Sequence, residues 1–599
     1  MTTTTAGEEE SSSTLNAKWD DAFYAALQKE VTGDVNVKYC SVVEWVEQAL
    51  PVKDGAIRAA IRGGRPFIPD DVIEALPSEP VQETGKMKVL AFADESGLVD
   101  EVFGMMKARK QLGSPTKKVP LWGEFADTYD KMREVVEGEW DLILFAAVDM
   151  PESNDPDDVV AWSKRIVETY LLLCQVLLRN PSYAPKVCVV SADTHSNDPE
   201  THKEAGIGIS AAGPLFGMTN TVRLEVQTTA FHFVDLEYTV TDDVIAALAA
   251  ELTRKTGFGE ASVRLNSKGR FVARMMPAEP RYVSNAVFET PSSGTIGIGG
   301  GNGALGLVMG KYLLEHLPSG ANVHIKFLSR SARVSGAGNE TAWDDVRALA
   351  RAKNATVEQA VCDVSSREAI ETFVRDHKDT LVGFVHSAGV LRDALLPNQT
   401  SEKYDDVYKP KAWAGLYLHN ALEQHQCDIK FLWMFSSVAV YGNPGQSSYS
   451  GANSLLDVVC RHRKALGKPA TAMQWAGWGE VGMAANMDPI AKKRMADSPI
   501  PFFTNAQGLK GMDLGLSTGI PVFCVMRYNA KAFFDKLEKT TQKDKQLPVD
   551  RYDARFWSRP IPPQQLTELD LYDVVSTTFA EPRELIYDHF TAGVDYPDQ

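Results

Sequence analysis

The chain has 599 residues, enough for two to four domains with sizeable cores. Its 44% hydrophobic and 24% charged residues are ordinary for a globular chain in water, and its net charge of −17 argues against nucleic acid as a partner. Seven cysteines, odd in number and without C-x-x-C spacing, indicate neither a disulfide framework nor a metal site, and fit a reducing, cytoplasmic compartment. From the N-terminus, residues 1–14 are a low-complexity segment expected to be disordered, with no basic-then-apolar leader, and no apolar run in the chain is long enough to span a bilayer. Residues 15–86 read as a helical extension with apolar stripes at Phe23 and Leu27 and at Val42, Val43, Trp45 and Val46, a docking or packing element without chemistry of its own.

Residues 87–281 alternate strands and helices, as in an α/β domain. Val89 to Ala93, Leu142 to Val148, Val187 to Val190 and Phe231 to Leu236 read as buried strands, and Val159 to Leu178 as a long helix. After the first strand comes Asp94-Glu95-Ser96-Gly97, which lacks glycine spacing and sets two carboxylates where a pyrophosphate would need positive potential. This half has a Rossmann rhythm without a cofactor site, and is expected to be structural.

Residues 282–529, entered through a connection at Tyr282 to Ser293, read as a doubly wound parallel sheet. Thr295 to Gly306, TIGIGGGNGALG, is a strand, a glycine turn and the start of an apolar helix. Gly300, Gly303 and Gly306 allow a tight turn and close approach to a pyrophosphate, which the helix N-terminus would bind through Gly300, Gly301, Asn302, Gly303, Ala304 and Leu305. The next strand, Val323 to Leu328, ends in Ser329 and Arg330. Between Glu315 and Glu340 there is no carboxylate for a ribose 2′-hydroxyl, whereas Arg330 and Arg333 are available to a 2′-phosphate, so the cofactor inferred is NADPH. Further strands are expected at Thr356 to Val361, Leu381 to His386, Phe431 to Phe435, Thr471 to Trp475 and Val522 to Met526. Cys362, Asp363 and Val364 would adjoin the adenine, and Ser387, Ala388 and Gly389 the ribose.

Tyr449 and Asn453 share one face of a helix at i, i+4 spacing, after a strand that ends in Ser436-Ser437. A carbonyl accepting hydride needs a proton on its developing alkoxide; Tyr449 can supply it if a nearby cation, for which Lys411 is the candidate, lowers its pKa, and a serine can hold the same oxygen. Glu480 to Ala506 reads as a mobile lid. Residues 530–599 form a charge-rich C-terminal extension whose role is not legible.

GGGNGALG, LSRSAR at Leu328 to Arg333, CDV at Cys362 to Val364, HSAGVLRD at His386 to Asp393, FSSVAVYGNPGQSSYSGAN at Phe435 to Asn453 and WAGWGEVGMA at Trp475 to Ala484 together resemble the ketoreductase domains of modular polyketide synthases and animal-type fatty acid synthases, of the short-chain dehydrogenase superfamily. The resemblance implies two Rossmann-like subdomains, the N-terminal one truncated and cofactor-free. It implies Tyr449 as proton donor, Ser437 as the partner of the substrate carbonyl, Lys411, preceded by Pro410, as the group tuning the tyrosine and its proton relay, and Asn453 as organiser of that relay. The substrate implied is a β-ketoacyl thioester on an acyl carrier protein. No acyltransferase elbow, condensing cysteine or carrier serine motif is present, so the carrier is expected in trans, or from a larger synthase of which this chain is a part.

The chain departs from the family pattern at four places. Gly299 and Asn302 replace threonines of the glycine motif, a mild loss of rigidity. The interval before Tyr449 is one residue short, so spacing favours Ser436 while the flanking motifs favour Ser437, which is preferred. Trp475-Ala-Gly-Trp478 replaces a Trp-Gly-Pro-Trp segment. Leu391-Arg392-Asp393 resembles the Leu-Asp-Asp motif of the class forming D-hydroxyl groups, yet Tyr441 stands where the opposite class has tryptophan; Asp393 and Tyr441 are therefore the candidate stereocontrol residues. Two alternatives stay open: a non-catalytic NADPH-binding module, and a reductase of free small ketones or CoA thioesters.

Overall fold

The computed structural model describes residues 40–47 and 86–527, apart from 123–127, 181–182, 227, 254–260, 278–287, 335, 337, 483–492, 494–497 and 499. Most of the expected lid, half of the connection, the tail beyond 527 and most of the N-terminal extension lie outside the described residues. Among the described residues, fifteen strands form one continuous sheet. They are β1 (Cys40–Glu47), β2 (Met87–Ala93), β3 (Leu112–Pro120), β4 (Leu142–Ala146), β5 (Lys186–Ala192), β6 (Phe231–Leu236), β7 (Ser262–Asn266), β8 (Gly269–Pro277), β9 (Ser293–Gly299), β10 (Asn322–Ser329), β11 (Thr356–Val361), β12 (Leu381–His386), β13 (Phe431–Ser437), β14 (Thr471–Trp475) and β15 (Val522–Val525).

Seven parallel strands make the C-terminal half in the order β11-β10-β9-β12-β13-β14-β15. Strand order reverses between β9 and β12, which opens a crevice beyond their carboxyl ends. The N-terminal half has the order β3-β2-β4-β5-β6-β7, parallel, with β8 antiparallel to β7. β3, Leu-Gly-Ser-Pro-Thr-Lys-Lys-Val-Pro, is the outer edge, where proline and lysine discourage further pairing.

The expectation of a helix over the whole of 15–86 is corrected at Cys40–Glu47, which is strand β1, antiparallel both to β15 and to β8. The spacing of Val42, Val43, Trp45 and Val46 suits a helical stripe as well as a strand. What decides is that β8 and β15 each present an unpaired edge, and one β-branched segment between them satisfies both. A segment that precedes both halves in the chain thus joins them.

The acidic turn after β2 also has a physical account. Asp94 Oδ2 accepts from the backbone N–H groups of Val148 at 2.6 Å and Asp149 at 2.7 Å, just past β4, and Asp94 Oδ1 accepts from Ser96. In this half the strand-order reversal lies between β2 and β4, and the protein's own carboxylate takes amides that could otherwise face an anion.

One apolar core runs through both halves, and a second lies under the helices Leu98–Ala108 and Asp242–Leu252. The helix Ser447–Ala465, which carries Tyr449, crosses the N-terminal half's helix Pro214–Glu225 at close range. A Cβ at Gly217 would collide with the Ser450 carbonyl. Ser454 Oγ donates to the Gly213 carbonyl at 2.7 Å, and Thr221 Oγ1 to Ser450 Oγ at 2.9 Å.

Candidate active site

β9 ends in the glycine turn. Gly300 has φ +75°, and a Cβ there would lie 2.8 Å from Ala388 Cα, so the turn needs glycine for both conformation and space. The following helix, Ala304–Glu315, has Gly303 as its N-cap, no side-chain cap and no acidic residue in its first turn. Its first amides are therefore left for an anion, and the cradle suits a pyrophosphate.

Asn302 does not loosen this turn, which corrects the expected loss of rigidity. Its buried amide donates to Ser329 Oγ at 2.6 Å and to the Ser331 carbonyl at 3.1 Å, and its Oδ1 accepts from Gln359 at 2.9 Å. Asparagine, with donors and an acceptor, links three strand ends where threonine offers a single hydroxyl. Arg330 and Arg333 are exposed, and neither has an ion-pair partner among the described residues.

Around the crevice, Cys362 and Val364 are buried, and Asp363 Oδ1 accepts from the Ser365 backbone at 3.0 Å. Ser387 Oγ donates to the Gly299 carbonyl at 2.9 Å, fastening β12 to β9. A Cβ at Gly389 would lie 3.4 Å from Lys411 Nζ, so glycine there leaves room for the lysine.

Lys411 sits in a π-helical turn, Lys409–Trp413, with proline at its second position. Such a turn is a local widening common at functional sites. The lysine is buried, donates from Nζ to the Phe435 carbonyl at 2.8 Å and lies over the Tyr449 ring, 5.2 Å from its centroid. Burial lowers its pKa to about 7, with the Asp457 carboxylate opposing the shift. Burial pushes the Tyr449 phenol up; hydrogen bonding with Asn453 and Ser437 pulls it down, and the Asp393 carboxylate raises it. The expected lowering of the phenol by a lysine cation is corrected: desolvation outweighs the rest and raises the phenol above its ordinary value.

Ser437 is half-buried beside Tyr449; its Oγ donates to the Trp475 carbonyl at 3.2 Å and accepts from Ala439 N at 3.2 Å. Ser436 points into the protein and donates to the Asn453 carbonyl at 3.3 Å. Asn453 donates to the Tyr449 carbonyl at 2.7 Å, while its buried Oδ1 has no hydrogen-bond partner among the described residues. Asp393 is at the rim and accepts from Gln446 Nε2 at 3.0 Å. Tyr441, by contrast, is buried, and its hydroxyl donates to Gln474 in the interior.

The sequence reading missed Asp457. It lies four residues beyond Asn453 on the same helix, is buried, and accepts from Gln474 Nε2 at 2.8 Å. Burial raises its pKa to about 7. The signal was a lone carboxylate amid Leu455, Leu456, Val458 and Val459, in register with Tyr449 and Asn453. Among the described residues no helix is long and apolar enough to cross a membrane, and no group of three or more His, Cys, Asp or Glu side chains could hold a metal ion.

Residues 294–480 match the KR domain family. The chain is 33% identical over 253 residues to the polyketide synthase GfsB of Streptomyces halstedii, covering 40% of this chain and 4% of that protein. It is 30% identical over 292 residues to the mycoketide-CoA synthase of Mycobacterium tuberculosis, covering 47% of this chain and 7% of that one. The chain thus spans a small part of such relatives. Among solved structures, A-type ketoreductases from a modular polyketide synthase superpose with a TM-score of 0.62 at 22% identity, over 82% of this chain and 94% of theirs. The first ketoreductase of the tylosin synthase gives 0.62 at 20% identity, over 84% and 96%. Residues 294–480 thus carry a match to the KR domain family, set in a chain with the two-subdomain α/β fold seen in polyketide synthase ketoreductases.

Proposed function

We propose that the chain reduces a β-ketoacyl thioester to a β-hydroxyacyl thioester with NADPH in polyketide biosynthesis, the substrate arriving on an acyl carrier protein in trans or from a larger synthase. The observation that carries this reading is the convergence of Lys411, Ser437, Tyr449 and Asn453 beside the uncapped glycine turn. NADPH supplies the hydride when bound. Tyr449, held protonated by burial, donates its proton to the developing alkoxide, and Ser437 hydrogen-bonds the same oxygen. Lys411 serves the return of a proton to Tyr449, and the unpartnered Asn453 Oδ1 provides a seat for a relay water. The buried Lys411 and Asp457 give this relay a cation and an acid whose pKa values both lie near 7.

The test is NADPH oxidation, followed at the nicotinamide absorbance, with an acetoacetyl thioester. Wild type is expected to turn over, and Tyr449→Phe to lose about a hundredfold or more in kcat while still binding NADPH. If both proteins bind NADPH and neither oxidises it, the chain is a binding module.

A further inference from the structure

One carboxylate of the N-terminal half reaches the rim of the other half's crevice. Glu225 ends the helix Pro214–Glu225. Its Oε2 accepts from Leu396 N at 2.7 Å and its Oε1 from Gly445 N at 2.8 Å. These amides lie on two different segments. Leu396 follows Asp393 in the loop after β12, and Gly445 precedes Tyr449 in the loop that enters its helix. The segments also touch directly: Ala394 N donates to the Gly445 carbonyl at 2.9 Å, and Gln446 Nε2 to Asp393 at 3.0 Å. Neighbouring groups of the same helix extend the contact, Asn220 Nδ2 donating to the Val440 carbonyl at 2.8 Å and Asn443 N to Thr221 Oγ1 at 3.3 Å.

Glu225 has no cation within ion-pair distance among the described residues. Burial raises its pKa, and only the two backbone N–H groups pull it down. A half-buried carboxylate whose described hydrogen-bond partners are two backbone amides loses much of what offsets its partial desolvation if those amides move. We infer that Glu225 is a positioning residue for the candidate active site: it clamps the Asp393 loop to the Tyr449 loop and so sets the width and handedness of the opening through which the ketone presents its face. This inference rests on the ketoreductase reading for its kinetic consequence, and on geometry alone for the clamp.

The experiment uses the full chain and Glu225→Gln, which keeps the volume but turns an amide NH₂ toward one of the two donors, with Glu225→Asp as a second variant that keeps charge and shortens reach. Hydrogen–deuterium exchange is read over residues 391–399 and 442–448, NADPH binding serves as the check that the cofactor half is folded, and KM, kcat and the ratio of hydroxyl epimers are measured with a short β-ketoacyl thioester. In Glu225→Gln, exchange in both segments is expected to rise roughly tenfold or more, with NADPH affinity changed less than about twofold. KM is expected to rise several-fold more than kcat falls and the epimer ratio to move toward unity, with Glu225→Asp intermediate. Unchanged exchange in both segments overturns the clamp, and faster exchange with an unchanged KM and epimer ratio overturns its role in substrate presentation. If wild type reduces no thioester, the ketoreductase reading fails, and the exchange result still decides the clamp.

Discussion

The Lys411 ammonium lies over the Tyr449 ring, 5.2 Å from its centroid, and spends a hydrogen bond on the Phe435 carbonyl at 2.8 Å. Both interactions are with groups that favour a cation, yet burial holds the lysine near pH 7. The proton on this lysine is therefore labile near pH 7.

That placement predicts a pH profile. If protonated Lys411 is needed, kcat falls as pH rises through about 7, the value of Lys411 in the fold. Asp457→Asn removes the carboxylate that supports the cation, so the falling limb is expected to move down by roughly one pH unit, with NADPH affinity altered less than about twofold. A pH–kcat series on both proteins checks this, and an unmoved limb would dissociate Asp457 from the lysine. Stability follows the same group. Its folded value lies below the 10.5 of an exposed lysine, so the unfolded chain binds more protons between about 7 and 10.5, and the lysine's share of stability rises with pH across that window. Lys411→Met is accordingly expected to stabilise the protein more at pH 6 than at pH 10, by a difference on the order of a few kcal/mol in denaturant unfolding, while abolishing turnover.

Arg330 is exposed at the end of β10, without an ion-pair partner among the described residues. If it reads the 2′-phosphate, Arg330→Ala weakens NADPH binding by about ten to a hundredfold and leaves NADH binding unchanged, because hydrogen bonds to a charged group contribute about 1.5–3 kcal/mol. Parallel fluorescence titrations with the two nucleotides decide this; equal losses for both would assign Arg330 to something other than the phosphate.

Asn302→Ala removes three hydrogen bonds from the buried end of the glycine turn, to Ser329, Ser331 and Gln359. The expected result is a stability loss of about 1–3 kcal/mol and weaker NADPH binding, since the turn is no longer tied to β10 and β11. Chemical denaturation and a nucleotide titration of the same preparation measure both effects.

Three buried histidines meet where the halves join. The His202 and His419 ring centroids lie 5.5 Å and 5.4 Å from that of His462, and burial, reinforced by Arg463, lowers His462 to about 3. All three have folded values below the ordinary 6.5. The unfolded chain therefore binds more protons below that value, and their contribution is complete above pH 6.5 and lost as pH falls. His462→Phe keeps the ring and deletes a titrating group, one of whose nitrogens, Nδ1, has no partner among the described residues. Its loss of stability between pH 7.5 and pH 5 is expected to be smaller than that of wild type by about 1 kcal/mol, measured in denaturant at both pH values.

The parallel strands of the C-terminal half were legible in the chain because the central ones are short apolar runs and β10 and β11, toward the edge, alternate apolar and polar residues, and β11, β12 and β14 begin and end where the residue pattern puts them. The glycine turn was legible for a related reason: a chain that must bend within a few residues against Ala388 can use only glycine at Gly300. Tyr449, Asn453 and Ser437 could be brought together by local rules alone, since a helix repeat and a strand end place them. The same local rules could not separate a helix from a strand at Cys40–Glu47, because that choice was made by two sheet edges that lie more than two hundred residues apart in the chain. Nor could they find Glu225, whose partners lie 171 and 220 residues away, or set the pKa of Lys411, which depends on how completely packing removes water. Sequence periodicity determined the elements and most of the chemistry-bearing groups; tertiary structure decided which edges met, which polar groups were buried, and therefore which proton is held where, because desolvation and edge pairing are properties of neighbours that the chain brings together only when folded.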